Sequence, residues 1–180
     1  MERVSSGSRE VDEFLSGGYE TDSITAIYGP AGSGKTTLCL LGAIGAVKRG
    51  KKVLFVDTEG GISVERMGQL AGGDGSILEH CLFLRPTTFE EQKKQIEKIK
   101  DMVNDKIGLI VLDTVGMLYR VERGQSYDPY EIDNALESQI SALSEIARVK
   151  KIPVLVTNQV YDSLKNDNVR PPVSKTSKSE

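Results

Sequence analysis

The sequence predicts an α/β fold of three layers, in which a mainly parallel β-sheet lies between two layers of helices. Strand-like and helix-like segments alternate along most of the chain, and such repetition implies right-handed crossovers and parallel strands. The strand-like segments are short and apolar, as is common for strands that are covered on both faces. A glycine-rich loop joins the first of these strands to the first helix. The 180 residues suit one domain.

Five apolar runs are predicted to be the strands of this sheet. They cover residues 24–28, 53–57, 81–84, 107–113 and 153–157. In a parallel sheet with helices on both faces, ligands bind beyond the carboxyl ends of the strands. The polar residues that follow each run are therefore the first candidates for function.

Four helices are predicted from their start and stop signals. They cover residues 35–49, 63–70, 88–103 and 128–147. Gly50 is a natural stop for the first helix. Thr88 and Glu91 match the capping-box spacing, and Asp128 followed by Pro129 gives an N-cap residue before a proline at the first helical position.

Residues 29–36 form a phosphate-binding loop of the pattern G-x-x-x-x-G-K-[ST]. Glycines let successive backbone N–H groups curl around a phosphate, and the helix that follows points its positive end at the same anion. Lys35 is predicted to reach the β- and γ-phosphates, and the Thr36 hydroxyl to ligate Mg²⁺. A chance glycine-rich turn is the alternative, which the strand before and the helix after disfavour. The predicted nucleotide-binding residues are Gly29, Pro30, Ala31, Gly32, Ser33, Gly34, Lys35, Thr36 and Thr37.

Three polar residues at the ends of other strands are candidates for the chemistry. Asp113 ends the fourth strand in the Walker B pattern, whose carboxylate supports Mg²⁺; a cap of the next turn is the alternative. Glu59 follows the second strand and can orient and deprotonate an attacking water, although a turn glutamate is equally compatible with its position. Gln159 ends the fifth strand and can sense the γ-phosphate or remain an ordinary polar residue.

Composition limits the possible partners and the location of the chain. The net charge of −3 gives no global signature of nucleic-acid binding, so any DNA-binding surface must be local. The 38% of hydrophobic and 27% of charged residues are ordinary for a globular domain. No apolar run approaches the ~20 residues of a membrane span, and the N-terminus lacks an apolar signal region. We therefore expect no membrane contact and a cytoplasmic location.

Several of these motifs, in this order, resemble the RecA-type recombinases, and above all the short archaeal RadB group. The resemblance extends over about residues 5–170. The matching segments are residues 6–12 and 17–25 before the phosphate loop, 57–60 around Glu59, 118–120 at the start of the first DNA-binding loop of the family, and 157–160 around Gln159.

This resemblance implies a RecA-like P-loop NTPase core over residues 1–160 that binds ATP and Mg²⁺. It implies that Lys35 and Gln159 are catalytic with Glu59 as the general base, that Thr36 and Asp113 hold the metal, and that the activity is weak ATP hydrolysis in DNA repair and homologous recombination without strand exchange. Residues 161–180 are expected to be a flexible tail at the start of a second DNA-binding loop, and the later strands of the family's sheet are expected to be missing.

The resemblance also implies DNA binding by Arg120 and Arg123, within a polar stretch over residues 120–128 that is predicted to be a loop. Glu122 and Asp128 offset these arginines, so a solvated loop is the alternative on charge alone. We expect weak, sequence-independent binding to single-stranded or branched DNA. A recombinase or nuclease partner and a homo-oligomer are left open.

Two other functions compete with a recombination ATPase. One is a nucleotide-switched regulator of a recombinase that barely hydrolyses ATP. The other is a kinase for a small metabolite, which the lack of an arginine-rich lid segment disfavours.

Overall fold

The computed structural model describes residues 2–160 and arranges most of its strands in one parallel sheet. The strands are β1 (Arg3–Val4), β2 (Tyr19–Glu20), β3 (Ile24–Gly29), β4 (Lys52–Asp57), β5 (Cys81–Leu84), β6 (Ile107–Asp113) and β7 (Val154–Gln159). Five of them form the sheet in the order β3–β7–β6–β4–β5, and every neighbouring pair is parallel. The carboxyl ends of all five strands therefore lie at one edge, as the sequence predicted.

The four predicted helices, α2, α3, α4 and α6 in the order below, begin close to their predicted start signals. They are α1 (Arg9–Phe14), α2 (Lys35–Lys48), α3 (Val64–Leu70), α4 (Phe89–Met102), α5 (Gly116–Gln125) and α6 (Pro129–Lys150), with a 3-10 helix over Gly75–His80. The side chains of Ser63, Thr88 and Asp128 accept hydrogen bonds from backbone N–H groups in the first turns of α3, α4 and α6. The capping box at α4 differs from the predicted form, because the Glu91 carboxylate accepts from Thr87 N, one residue before the cap, at 2.7 Å.

Alternate residues of the central strands face two separate apolar cores. One core packs α4 and α6 against one face of the sheet, and the other packs α2 and α3 against the opposite face. In β4 and β6, the first core takes Leu54, Val56, Ile110 and Leu112, and the second takes Val53, Phe55, Leu109 and Val111. This alternation explains why both strands are apolar throughout, and it confirms the predicted three layers.

The polar stretch after β6 is mostly a helix, so its prediction as a loop was wrong. Helix α5 runs from Gly116 to Gln125, and only a short connection precedes α6. The residues that pack against the rest of the protein lie in the first half of α5. Leu118 is buried, and the ring of Tyr119 packs edge-on against Phe89 of α4 with centroids 6.0 Å apart. The charged residues that suggested a loop lie on the later, solvent-facing turns of an amphipathic helix.

Short elements near the N-terminus were not predicted. The two-residue strands β1 and β2 pair in antiparallel fashion, and α1 has six residues, so none is long enough to show a periodic pattern. The predicted tail over 161–180, with its DNA-binding loop, lies outside the described residues. Among residues 2–160, no helix combines the length and the apolar character that a membrane crossing requires.

Candidate nucleotide-binding site

The loop over residues 29–36 connects β3 to α2 and leaves the start of this helix open to an anion. Gly34 is the N-cap residue and has φ = 89°, in the left-handed region that favours glycine. No side chain of residues 2–160 makes a capping hydrogen bond there. Because the first N–H groups of any helix lack intrahelical acceptors, these donors and the positive end of α2 are available to a phosphate.

The Lys35 side chain lies folded along the loop. Its Nζ donates to the carbonyl oxygens of Gly29, at 3.1 Å, and Pro30, at 2.8 Å, and only 9% of the residue is exposed. Hydrogen bonds between two charged groups are stronger than those to a neutral carbonyl. A bound phosphate would therefore compete well for this ammonium group.

Asp113 joins the end of β6 to the start of α2 and to β7. Its Oδ2 accepts from Thr36 Oγ1 at 2.7 Å, its Oδ1 accepts from Thr157 Oγ1, and the residue is buried. A carboxylate beside a hydroxyl fits Mg²⁺, which prefers oxygen ligands and is usually bound by one or two carboxylates together with substrate phosphates. Within residues 2–160, no cluster of three or more acidic, histidine or cysteine side chains could hold a metal ion by itself.

Glu59 lies in the exposed turn after β4, and its carboxylate is held from the neighbouring strand. Thr114 Oγ1 lies 3.2 Å from Glu59 Oε1. Thr114 itself is buried, because it follows directly on β6, whose end is paired in register with the end of β4 at Asp57 and Asp113. The adjacency of the two strands thus brings Glu59 beside a residue far away in the sequence.

A cavity of about 270 Å³ joins most of the predicted site residues. It is lined by Ala31, Gly32, Ser33, Gly34, Lys35, Thr36, Thr37, Glu59, Thr114 and Gln159. Gly29 and Pro30 contribute through the carbonyls that hold Lys35, and Asp113 through Thr36. Thr114 is the one lining residue to which the sequence assigned no role, although it directly follows β6 as Thr58 follows β4.

Two larger clefts lie away from this loop. One, of about 740 Å³, runs along the N-terminal segment and the end of α2, with Ser8 and Arg49 in its wall. The other, of about 620 Å³, lies at the amino ends of the strands, with Lys51 and Pro153 in its wall. The small cavity is the better nucleotide site, because it alone of the three combines the start of α2 with Lys35 and Glu59.

The two predicted DNA-binding arginines lie on α5, outside the wall of the cavity. Arg123 Nε donates to Asp133 Oδ1 of α6 at 2.8 Å, and Tyr119 donates to the same oxygen at 2.7 Å. These two hydrogen bonds lower the pKa of Asp133 below its usual value. Arg120 Nη1 lies 3.5 Å from the backbone oxygen of Gln159, so it connects α5 to the strand end that borders the cavity.

Comparisons with known proteins agree on one family. The Rad51 family model matches residues 1–175. The chain is 37% identical over 171 residues to the DNA repair and recombination protein RadB of Methanococcoides burtonii, covering 94% of this chain and 76% of that protein. It is 42% identical over 156 residues to RadB of a Methanococcus maripaludis strain, covering 86% and 71%. A crystal structure of the RadB recombinase superposes with a TM-score of 0.76 at 36% identity, covering 91% of this chain and 74% of that one.

The first expectation concerns Lys35. Replacing it by alanine removes the one lysine that lines the cavity, so the affinity for a nucleoside triphosphate is expected to fall at least about tenfold, the effect of 1.4 kcal/mol. Titration with a fluorescent ATP analogue measures this change. Lys48→Ala, at the exposed opposite end of α2, is the matched control and should bind like the wild type. Equal affinities for the two variants would contradict the site.

Proposed function

The chain belongs to the Rad51 family as a RadB-like member, and on that premise we propose that it is an ATP-binding DNA repair and homologous recombination protein with weak, Mg²⁺-dependent ATPase activity. We further propose that it binds DNA weakly, without driving strand exchange. The observation that carries the proposal is the cavity that unites the phosphate loop with Glu59 and Gln159.

Lys35 and the start of α2 are the groups that bind the triphosphate in this proposal. The backbone N–H groups of the loop and the Lys35 ammonium balance the charge of the β- and γ-phosphates. Thr36 and Asp113 are the residues that would hold Mg²⁺. When bound, this ion neutralises part of the charge on the phosphate oxygens.

Glu59 is the proposed general base. Its carboxylate orients a water molecule and accepts its proton while the water oxygen bonds to the γ-phosphorus and the bond to the β,γ-bridging oxygen breaks, giving ADP and phosphate. Weak turnover is supported by two features of the described residues: Glu59 is exposed, and no arginine lines the cavity. In related phosphoryl transfers, an arginine that contacts the transferred phosphoryl group raises kcat by about 10³–10⁵-fold.

Gln159 is proposed to couple the nucleotide to α5, the helix that carries the arginines proposed to bind DNA. Gln159 lines the cavity, and its backbone oxygen contacts Arg120 of α5. A movement of Gln159 toward or away from a γ-phosphate would therefore reach α5. The same link favours the second candidate function, a nucleotide-switched regulator of a recombinase that scarcely hydrolyses ATP.

Glu59→Gln tests the proposed activity. The amide cannot accept the proton of the water, so kcat for ATP hydrolysis is expected to fall about 10²-fold or more, while the dissociation constant for ATP stays within about twofold. Phosphate release and nucleotide titration measure the two quantities. Glu65→Gln, an exposed glutamate in the first turn of α3, is the control and should match the wild type.

Either of two results would redirect the proposal. Wild-type turnover in Glu59→Gln would exclude Glu59 as the base. If this variant binds ATP, does not turn over and still restores resistance to DNA damage in cells, the switch is the function.

DNA binding by Arg123 is tested through its partner Asp133. The Asp133→Asn variant removes the charge that competes with a phosphate for this guanidinium, so affinity for single-stranded DNA is expected to rise about twofold to fivefold, an effect of about 0.4–1 kcal/mol. Arg123→Ala is expected to lower the affinity and to reduce the slope of log K against log salt concentration by about 0.7.

The control for DNA binding is another exposed arginine in an ion pair. Arg9 of α1 pairs with Glu13 at 2.9 Å, so Arg9→Ala removes the same kind of group at another surface. Fluorescence anisotropy over a range of salt concentrations measures all variants. If Arg123→Ala has the affinity and salt slope of Arg9→Ala, then Arg123 does not contact DNA.

A further inference from the structure

Two neighbouring strand ends hold Glu59 by separate contacts that lie outside the phosphate loop. β4 and β6 each end in an aspartate that is followed by a threonine, and the two aspartates, Asp57 and Asp113, are in register. We propose that Thr114 and Asp57 are positioning residues for Glu59: Thr114 orients its carboxylate, and Asp57 fixes the turn that carries it. The inference rests on the proposed ATPase function and adds two residues to that site.

Thr114 is held firmly enough to orient another side chain. Its backbone N–H donates to Thr58 Oγ1 at 2.9 Å, and Thr58 Oγ1 donates back to the Thr114 carbonyl at 2.8 Å. The Thr58 N–H also donates to the Asp113 carbonyl at 2.9 Å, and Thr114 is 1% exposed. These bonds clamp the two strand ends together and leave the Thr114 hydroxyl directed at Glu59.

The direction of the hydrogen bond follows from the chemistry of the pair. An ionised carboxylate can only accept, so Thr114 Oγ1 donates to Glu59 Oε1 across 3.2 Å. A glutamate on an exposed turn has three rotatable side-chain bonds and little else to restrict them. Because Oε1 accepts the hydrogen bond from Thr114, Oε2 is the oxygen that would accept the proton from water.

Asp57 acts on the backbone of the same turn. Its Oδ1 accepts from the N–H of Gly60 at 2.8 Å, which closes the turn around Glu59. Its Oδ2 is buried and makes no hydrogen bond within the described residues, but Arg85 Nε, at the end of β5, lies 3.7 Å away. The Asp57 charge is thus balanced from the side opposite to the cavity, and Asp57 is not among the cavity-lining residues.

The two Asp-Thr pairs therefore have different tasks, although they lie side by side. Asp113 faces Thr36 of the phosphate loop and Thr157 of β7, where the metal is expected. Asp57 contacts Gly60 and Arg85, and it is not among the residues that line the cavity. Between them, Thr114 is the residue that both touches Glu59 and lines the cavity.

Thr114→Val tests the inference, because valine keeps the shape of threonine and removes the donor. We expect kcat for ATP hydrolysis to fall about tenfold, in line with the cost of a misplaced catalytic group, with the dissociation constant for ATP within about twofold of the wild type. Thr114→Ser keeps the hydroxyl and is expected to restore kcat to within about threefold. Thr114→Ala, which adds no methyl group in place of the hydroxyl, gives the same readout if the valine variant does not fold.

The control separates positioning from general stability. Thr21 is also buried, at 3% exposed, and its hydroxyl donates to the Glu2 carbonyl near the opposite edge of the sheet. Thr21→Val is expected to lower the melting temperature while leaving kcat unchanged. A structural role alone for Thr114 would lower the melting temperature and the ATP affinity together, without rescue of kcat by serine.

Failure of the inference and failure of the proposed function are distinguishable in one set of assays. If Glu59→Gln abolishes turnover while the folded Thr114→Val and Thr114→Ala variants keep the wild-type kcat, the positioning role is wrong and the ATPase site stands. If Glu59→Gln keeps wild-type turnover, the role of Glu59 fails, and with it any role for Thr114 and Asp57 in positioning it.

Discussion

The buried carboxylate of Asp113 is the interaction on which the rest of this site depends. It is 4% exposed, and a buried charge is costly unless hydrogen bonds replace its hydration. Two hydroxyls supply them, Thr36 at the start of α2 and Thr157 on β7. Because these three residues come from three different elements, the same pair of hydrogen bonds fixes the phosphate loop against the sheet.

The parallel sheet then determines which residues can meet. Its carboxyl edge collects the loop after β3, Glu59 after β4, Thr114 after β6 and Gln159 at the end of β7, although these residues are up to 130 positions apart in the chain. The parallel register of the strands places these residues around one cavity. The side-chain hydrogen bonds add orientation to a placement that the backbone provides.

Patterns that depend on local chemistry could be read from the sequence. The phosphate loop, the buried strands and the caps at Ser63, Thr88 and Asp128 each follow from residue types within a few positions of one another. The rule that ligands lie beyond the strand ends predicted that Glu59 and Gln159 lie near the phosphate loop, and both line the same cavity as the loop. The roles of these two residues, and DNA contact by the arginines of α5, remain predictions.

Features that depend on distant contacts could not be read in the same way. Helix α5 was missed because its buried face is set by packing against Phe89 and α6, while residues 120–125 are mostly polar. Thr114 stood among the polar residues after the strands but received no role, because a threonine after a strand has many ordinary uses and only the pairing of β4 with β6 brings it to Glu59. The strands β1 and β2 are defined almost entirely by their pairing with each other.

A crystal structure with Mg²⁺ and a non-hydrolysable ATP analogue tests the central claim most directly. The terminal phosphate is expected in the cavity among Lys35, Glu59 and Gln159, with Lys35 Nζ transferred from the carbonyls of Gly29 and Pro30 to the phosphate. An analogue bound in either of the two larger clefts, with Lys35 still on those carbonyls, would contradict the claim.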